Sequence, residues 1–257
     1  MIKNPVIPVW KPAGWTPLKS IREFQKKNPE YKDEKISYAG RLDPMAEGVL
    51  LLLVGDENKK RKEYEKLSKE YESGIVLGIT TDSFDALGII NDVKPDNYPL
   101  KKEISNCLRN FIGKQKQLYP PYSSKTVSGK SLFWWAREDK LSEIKIPEKQ
   151  IEIYSINILS TKSINGDTIY KEAVGKIRKI EGEFRQKEIL KSWDKFMFEN
   201  QKNKFLKIKL NISCSSGTYV RRLASDIGAH LNCGGFALSI IRSSVGKYSA
   251  NATINIE

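Results

Sequence analysis

Tyr38-Ala-Gly-Arg-Leu-Asp43-Pro-Met-Ala-Glu-Gly48 runs directly into Val49-Leu-Leu-Leu-Leu-Val54, so a loop carrying the carboxylates Asp43 and Glu47 feeds a short, wholly apolar segment. That segment lies between Gly48 and Gly55. It is far too short to span a bilayer and has the character of a strand buried on both faces. Two glycines make Ser37 to Gly48 a loop. Asp43 stands immediately before Pro44, which suits a helix N-cap with proline at the first helical position, or a turn. Taken singly, Asp43 therefore has an ordinary structural role open to it.

Outward from this stretch, Pro12, Gly14 and Pro17 punctuate the N-terminal side, ahead of a short polar-faced helix over Leu18 to Lys27. A charged helix is expected from about Glu57 to Lys69, then a strand from Tyr71 to Ile79. Pro99 precedes LKKEISNCLRNFIG, which is apolar at helical spacing and stops at Gly113. Gln117 to Lys130, with Pro120 and Pro121, reads as an extended loop; a helix over Leu132 to Asp139 and a strand over Ile151 to Thr161 follow. Ile164 to Lys204 is charged, holds a helix over Phe184 to Glu199, and reads as an insertion rather than core. Leu206 to Ser213 alternates as a half-buried strand does. Val220, Leu223, Ala224, Ile227 and Leu231 share one helix face, with Thr218 as the expected N-cap. Strands and helices mix without βαβ regularity. The expected class is α+β, with a central mixed, largely antiparallel sheet flanked by helices and loops.

The bulk properties narrow the partners. The chain has 257 residues, with 44 Lys and Arg against 31 Asp and Glu, for a net charge of +13. Such a surplus favours a polyanion, because each cation set on a phosphate releases condensed counterions. A lysine-rich proteome would produce part of it without any such partner. The single histidine, His230, argues against His-ligated metals and most Ser–His or Cys–His nucleophiles. Cys107, Cys214 and Cys233 form no C-x-x-C pair and suggest neither a disulfide framework nor a zinc site. Cys107 shares a helical face with Ile104, Leu108 and Phe111, as a core residue does. The start, MIKNPVIPVWKPAG, has no apolar signal region, so a cytoplasmic protein is expected, without membrane association.

Together, G-R-L-D-P-M-A-E-G and the apolar run after it resemble the signature loop of pseudouridine synthases, in the form carried by the TruB family. Further segments match the same family in the same order. Lys11-Pro12-Ala13-Gly14-Trp15-Thr16 is similar to its K-P-x-G-x-T loop. Lys69-Glu70-Tyr71 and Thr80-Thr81-Asp82-Ser83-Phe84-Asp85-Ala86-Leu87-Gly88 resemble its K-x-Y strand and the turn beyond it. Pro121-Tyr122-Ser123-Ser124, with Gly129-Lys130, resembles a stretch of the family's RNA-gripping insertion, though its internal lysine falls on Thr126 and Lys125 sits one place earlier. Cys214-Ser-Ser-Gly-Thr-Tyr-Val-Arg221 and Ile241 to Tyr248 resemble the closing motifs. The matches extend from about residue 9 to 248.

The resemblance implies a pseudouridine synthase fold over residues 1–257 as one catalytic domain, with an RNA-gripping insertion near 117–147 and an extra charged insertion near 164–204. Only a short tail follows Tyr248, so no C-terminal PUA domain is expected. The implied activity is conversion of uridine to pseudouridine in tRNA, at uridine 55 of the T-loop, without cofactor, metal or obligate protein partner. In that scheme Asp43 is catalytic, as nucleophile or as base, and Arg221 is its ion-pair partner. Tyr71 stacks on the target base; Tyr219, Lys11, Tyr38 and Ile240 shape the site. Tyr122, Lys125, Lys130, Arg41 and Arg222 contact RNA. Against this stand the ordinary fates of such residues: a solvated helix charge for Arg221, and core rings for Tyr71 and Tyr219. Tyr38 occupies the position where the family typically has histidine, and Arg41 replaces a small or hydroxyl residue. Arg41 favours a second reading, a synthase for ribosomal RNA; a third is a non-catalytic RNA chaperone that keeps the fold.

Overall fold

The computed structural model describes residues 5–95 and 98–257. Strand β1 (Val6–Lys11) leads into α1 (Pro17–Lys27), whose start is fixed by Thr16, its side chain accepting the Lys19 N–H at 3.1 Å. Then β2 (Ile36–Ala39) and β3 (Glu47–Val54) flank the Asp43 loop. Next come α2 (Arg61–Lys66), β4 (Lys69–Leu77), β5 (Ile79–Thr81), β6 (Ile90–Val93), α3 (Lys101–Arg109) and β7 (Gly113–Leu118). A small hairpin, β8 (Thr126–Val127) and β9 (Lys130–Ser131), precedes α4 (Leu132–Arg137) and the long β10 (Glu148–Asn165). The chain continues with α5 (Gly166–Ile177), α6 (Gln186–Asn200), β11 (Lys204–Cys214) and α7 (Val220–His230). It closes with β12 (Gly235–Val245), β13 (Tyr248–Ser249) and β14 (Ile254–Asn255).

Ten of these strands form one sheet in the order β14-β1-β3-β12-β4-β11-β10-β7, with β2 also on β3 and β13 on β12. The β14–β1 and β3–β12 pairs are parallel and the other pairs antiparallel, giving the mixed, largely antiparallel sheet expected of the α+β class. The β3 run is buried on both faces because successive side chains point to opposite sides. Leu50, Leu52 and Val54 pack with Phe24 and Ile21 of α1, whereas Val49, Leu51 and Leu53 pack with Val245. Gly48 at the head of β3 has φ +117°, and a Cβ there would lie 2.2 Å from the Arg242 carbonyl oxygen, so the parallel β3–β12 approach requires glycine.

Several expectations from sequence need correction. Ser37–Gly48 is not all loop: β2 and the start of β3 lie within it, because Ile36–Ala39 pairs with the apolar β3 run. The helix expected over Glu57–Lys69 is a 3-10 stretch, Gly55–Lys60, followed by only six α residues, and neither part buries a side chain that would extend it. The strand expected from Tyr71 begins at Lys69 and breaks at Gly78. The stretch expected as extended loop, Gln117–Lys130, contains the end of β7 and the β8–β9 hairpin. The N-cap of α7 is Tyr219 rather than Thr218.

The largest correction concerns 164–204. Its charged residues mask two amphipathic helices whose Ile169, Ala173, Val174, Ile177, Ile189, Trp193 and Phe196 belong to the main hydrophobic core. This segment is core, not an appendage. Among the described residues, no helix is long and apolar enough to cross a membrane.

Candidate active site

The Asp43 loop is held in place from three directions. Gly14 N–H donates to the Pro44 carbonyl at 2.8 Å, and Ala46 N–H closes a turn on the Asp43 carbonyl at 3.1 Å. Arg242, only 1% exposed, donates from Nε to the Val49 carbonyl at 2.7 Å and from Nη2 to the Gly40 carbonyl at 2.9 Å. Leu42, Met45 and Ala46 are buried beneath the loop. Asp43 is therefore a turn residue, not the helix cap its neighbour Pro44 suggested. Backbone pinned at both ends leaves the carboxylate little freedom to drift, as a reacting group requires.

Arg221 reaches this carboxylate from the first turn of α7, Nε donating to Asp43 Oδ2 at 2.8 Å. Its other nitrogens donate to the Ser83 and Tyr122 carbonyls, both at 2.8 Å. The guanidinium side chain is 2% exposed while the Asp43 side chain is 30% exposed, so the cation is internal and the anion faces the solvent. A second carboxylate, Asp85, lies 3.8 Å from the same Nε. Asp85 accepts from Ser83 Oγ at 2.6 Å and from the Leu87 N–H at 3.0 Å. Burial pushes its carboxyl up to about 6, against the pull of Arg221. Burial works against the Arg221 charge, but the Asp43 and Asp85 carboxylates outweigh it and hold the group above its usual range. The shared guanidinium acts as an oriented support rather than a mobile surface charge.

Asp43 opens onto a cleft of about 910 Å³ lined by Tyr38, Arg41, Tyr71, Tyr122, Phe133, Tyr219 and Ile240 among others. Tyr71, on β4, pairs in register with Arg242 of β12 and Ile212 of β11, which sets its ring on the cleft floor. Burial raises its hydroxyl, with Arg242 pulling the other way. Tyr219 is held by Gln117, whose side chain accepts the Tyr219 N–H at 2.8 Å and donates to its carbonyl at 3.2 Å. The Tyr219 ring meets Tyr119 edge-on at 5.6 Å, and burial pushes its hydroxyl up to about 12. Lys62, Lys66, Lys69 and Lys149 add cationic lining. Lys69, nearly buried, is pushed down to about 8 by that burial. Aromatic faces and cations around the exposed Asp43 carboxylate suit a nucleotide, whose base stacks and whose phosphates need neutralising.

Most residues singled out from sequence converge here. Asp43, Arg221, Tyr71, Tyr219, Tyr38, Ile240, Tyr122 and Arg41 line the cleft or bond to those that do. Lys11 does not line it. Fully buried behind the loop, it donates to the Pro12 and Trp15 carbonyls at 2.8 Å, and burial pushes it down to about 7 while Asp43 pulls it back up. Lys125 and Lys130 also lie outside the lining, set over the rings of Tyr119 at 5.4 Å and Trp134 at 3.5 Å. Arg222 is engaged with Asp226 at 2.7 Å and lies over Phe84, outside the lining.

Sequence reasoning missed Asp85, Arg242 and Lys69, which stand inside quoted motifs and were open to notice. It also missed Lys149, which lines the cleft, and Phe184 and Arg185, which line a small pocket beside Asp43 and carried no signal. Among the described residues, no cluster of three or more His, Cys, Asp or Glu is placed to hold a metal ion.

The family model of the TruB family pseudouridylate synthases, N-terminal domain, matches residues 27–165. The tRNA pseudouridine synthase B of Oceanobacillus iheyensis is 28% identical over 253 residues, covering 98% of this chain and 69% of that protein. That of Blochmanniella floridana is 30% identical over 249 residues, covering 96% of this chain and 78% of that protein. Among solved structures, a chain of a Cbf5–Nop10–Gar1 complex aligns with a TM-score of 0.59 at 19% identity, over 97% of this chain. This chain spans about half the length of that one, 51%, and the likeness speaks for the fold alone. The chain belongs to the TruB family of pseudouridylate synthases.

Proposed function

We propose that this chain isomerises uridine 55 in the T-loop of tRNA to pseudouridine, with Asp43 as the catalytic carboxylate. The observation that carries the reading is the solvent-facing Asp43 carboxylate, fastened by a buried guanidinium at 2.8 Å, at the floor of an aromatic and cationic cleft. The tRNA synthase names of the curated relatives support the substrate class.

In this reaction the C1′–N1 bond breaks, the uracil turns, and C1′ joins C5. The C5 proton leaves and N1 gains one, so no oxidant or reductant is consumed and no cofactor is needed. Asp43 acts on the bound nucleotide as nucleophile or as base, and Arg221 fixes its direction. The uridine is extruded from its loop at a cost of a few kcal/mol. Stacking on Tyr71, worth about 1–3 kcal/mol for a base on an aromatic ring, offsets that cost. Residues 117–147 act as the RNA-gripping element of a single catalytic domain, with Tyr122, Lys125 and Lys130 on the T-arm and Arg41 and Arg222 adding charge. The protein works in the cytoplasm and needs no obligate protein partner.

Carbodiimide labelling of an unmodified tRNA transcript after incubation tests the reading. It predicts one new reverse-transcription stop at position 55, absent when that uridine is replaced by cytidine. Labelling of ribosomal RNA with none at position 55 would move the activity to the other substrate.

A further inference from the structure

The linker between α5 and α6, residues 178–185, belongs to the segment with no counterpart in the reading by resemblance, yet it runs along the cleft. Phe184 lines both the main cleft and a small adjoining pocket beside Asp43. Arg185 donates from Nη2 to Asp82 Oδ2 at 2.9 Å, and the Tyr122 hydroxyl donates to the same oxygen at 2.9 Å. The Arg185 guanidinium also lies 4.2 Å over the Tyr122 ring, with its side chain only 13% exposed. Asp82 is itself fixed, its other oxygen accepting the Ile89 N–H at 2.9 Å.

Tyr122 is therefore gripped twice by one side chain: on its face by a planar cation, and at its hydroxyl through a shared carboxylate. Its carbonyl is one of the three acceptors that aim Arg221 at Asp43. The other end of the linker rests on the loop that holds Asp43. Glu181 N–H donates to the Gly14 carbonyl at 3.3 Å, and Glu181 pairs with Lys19. Gly14 has φ +91°, and a Cβ there would meet the Lys179 carbonyl oxygen at 2.3 Å. Gln186 braces the linker internally, accepting the Phe184 N–H at 2.8 Å and donating to the Gly182 carbonyl at 2.5 Å. Trp193 and Phe196 root α6 in the core.

We propose that Arg185 is a positioning residue that locks Tyr122, and with it the 119–137 arm, over the substrate cleft, making the α5–α6 linker a built wall of the RNA site. The role in turnover rests on the proposed synthase reaction; the lock itself does not. Lysine cannot replace the arginine, because a single ammonium cannot lie flat on the ring and bond Asp82 together. Glycine removes the side chain while accepting the left-handed backbone of this position, φ 59°.

The test compares wild type, Arg185→Gly and Arg185→Lys, by amide hydrogen exchange of the free chain and by steady-state kinetics with unmodified tRNA. In both variants the amides of Leu132 and Phe133, bonded to the Lys125 and Ser123 carbonyls, are expected to exchange about tenfold faster, with β3 and β12 unchanged. KM for tRNA is expected to rise about tenfold and kcat to stay within about threefold, because Arg221 keeps its bonds to Asp43 and the Ser83 carbonyl. Unchanged exchange at those two amides, an equal rise in β3 and β12, or a loss of kcat with KM unaltered would overturn the proposal. Wild type inactive on every RNA would defeat the synthase reading, while the exchange data still decide whether the lock exists.

Discussion

Replacing Arg221 by lysine keeps the charge and removes the geometry. The arginine makes three hydrogen bonds of 2.8 Å, to Asp43, Ser83 and Tyr122, from a side chain 2% exposed. One ammonium retains the carboxylate at best, so two buried carbonyls lose a charged donor. Each such bond is worth about 1.5–3 kcal/mol, and the variant should lose about 3–6 kcal/mol of stability. That is a large share of the roughly 5–15 kcal/mol typical of a folded domain. With a urea m-value of about 3 kcal/mol/M, the unfolding midpoint should fall by about 1–2 M. Without the fork, Asp43 also loses its fixed direction; a displacement near 1 Å costs about a hundredfold in rate. Single-turnover pseudouridine formation at saturating tRNA, measured where the variant is still folded, should therefore drop about a hundredfold. A folded Arg221→Lys protein within threefold of the wild-type rate would show that Arg221 is a strut for the Tyr122 and Ser83 backbone and not the orienting partner of Asp43.

Asp85→Asn tests the buried second carboxylate through pH. Its folded-state value, about 6, lies above the 3.8 of an ordinary aspartate. Its contribution is thus full below pH 4 and lost as pH rises through 6, roughly 3 kcal/mol in all. Urea titrations from pH 4 to 7 should find that decline in wild type and not in the variant; parallel curves would refute it. Trp193→Ala should cost about 3–5 kcal/mol, because its ring is fully buried among Phe196 and Phe236, whereas a solvent-facing appendage would lose under about 1 kcal/mol in the same melt. Gly48→Ala should lower the thermal midpoint by more than 10 °C, about 3 kcal/mol or more for a chain of this size, since its Cβ collides with the Arg242 backbone; a midpoint within 2 °C of wild type would contradict the register of β3 on β12.

The residues proposed to act on the substrate were legible because they stand in ordered strings. Asp43 and Tyr71 occupy motif positions, and both emerge on the cleft. Arg221 was legible in its partner but not in its burial. On the α7 wheel it sits off the apolar face beside Arg222, and only the two carboxylates brought to it from elsewhere in the chain make a buried guanidinium tolerable there. The bond to Asp43 spans 178 positions, beyond any local pattern. The 164–204 segment was misjudged for a different reason. Its charges dominate the composition, but Ile169, Ala173 and Ile177 recur every fourth residue, and Ile189, Trp193 and Phe196 follow the same face rule. Counting that period would have found the core helices. Arg185 was out of reach, because its left-handed backbone and its contact with Tyr122 come from tertiary packing alone.

The central claim is that one carboxylate does the chemistry. Unmodified tRNA carrying tritium at uracil C5 reports it directly, since C5 must surrender its hydrogen when it joins C1′. Wild type should release tritium to water in step with pseudouridine formation, while Asp43→Ala, folded and still binding tRNA within a few-fold, should release none above background. Equal release from the two proteins would contradict the account.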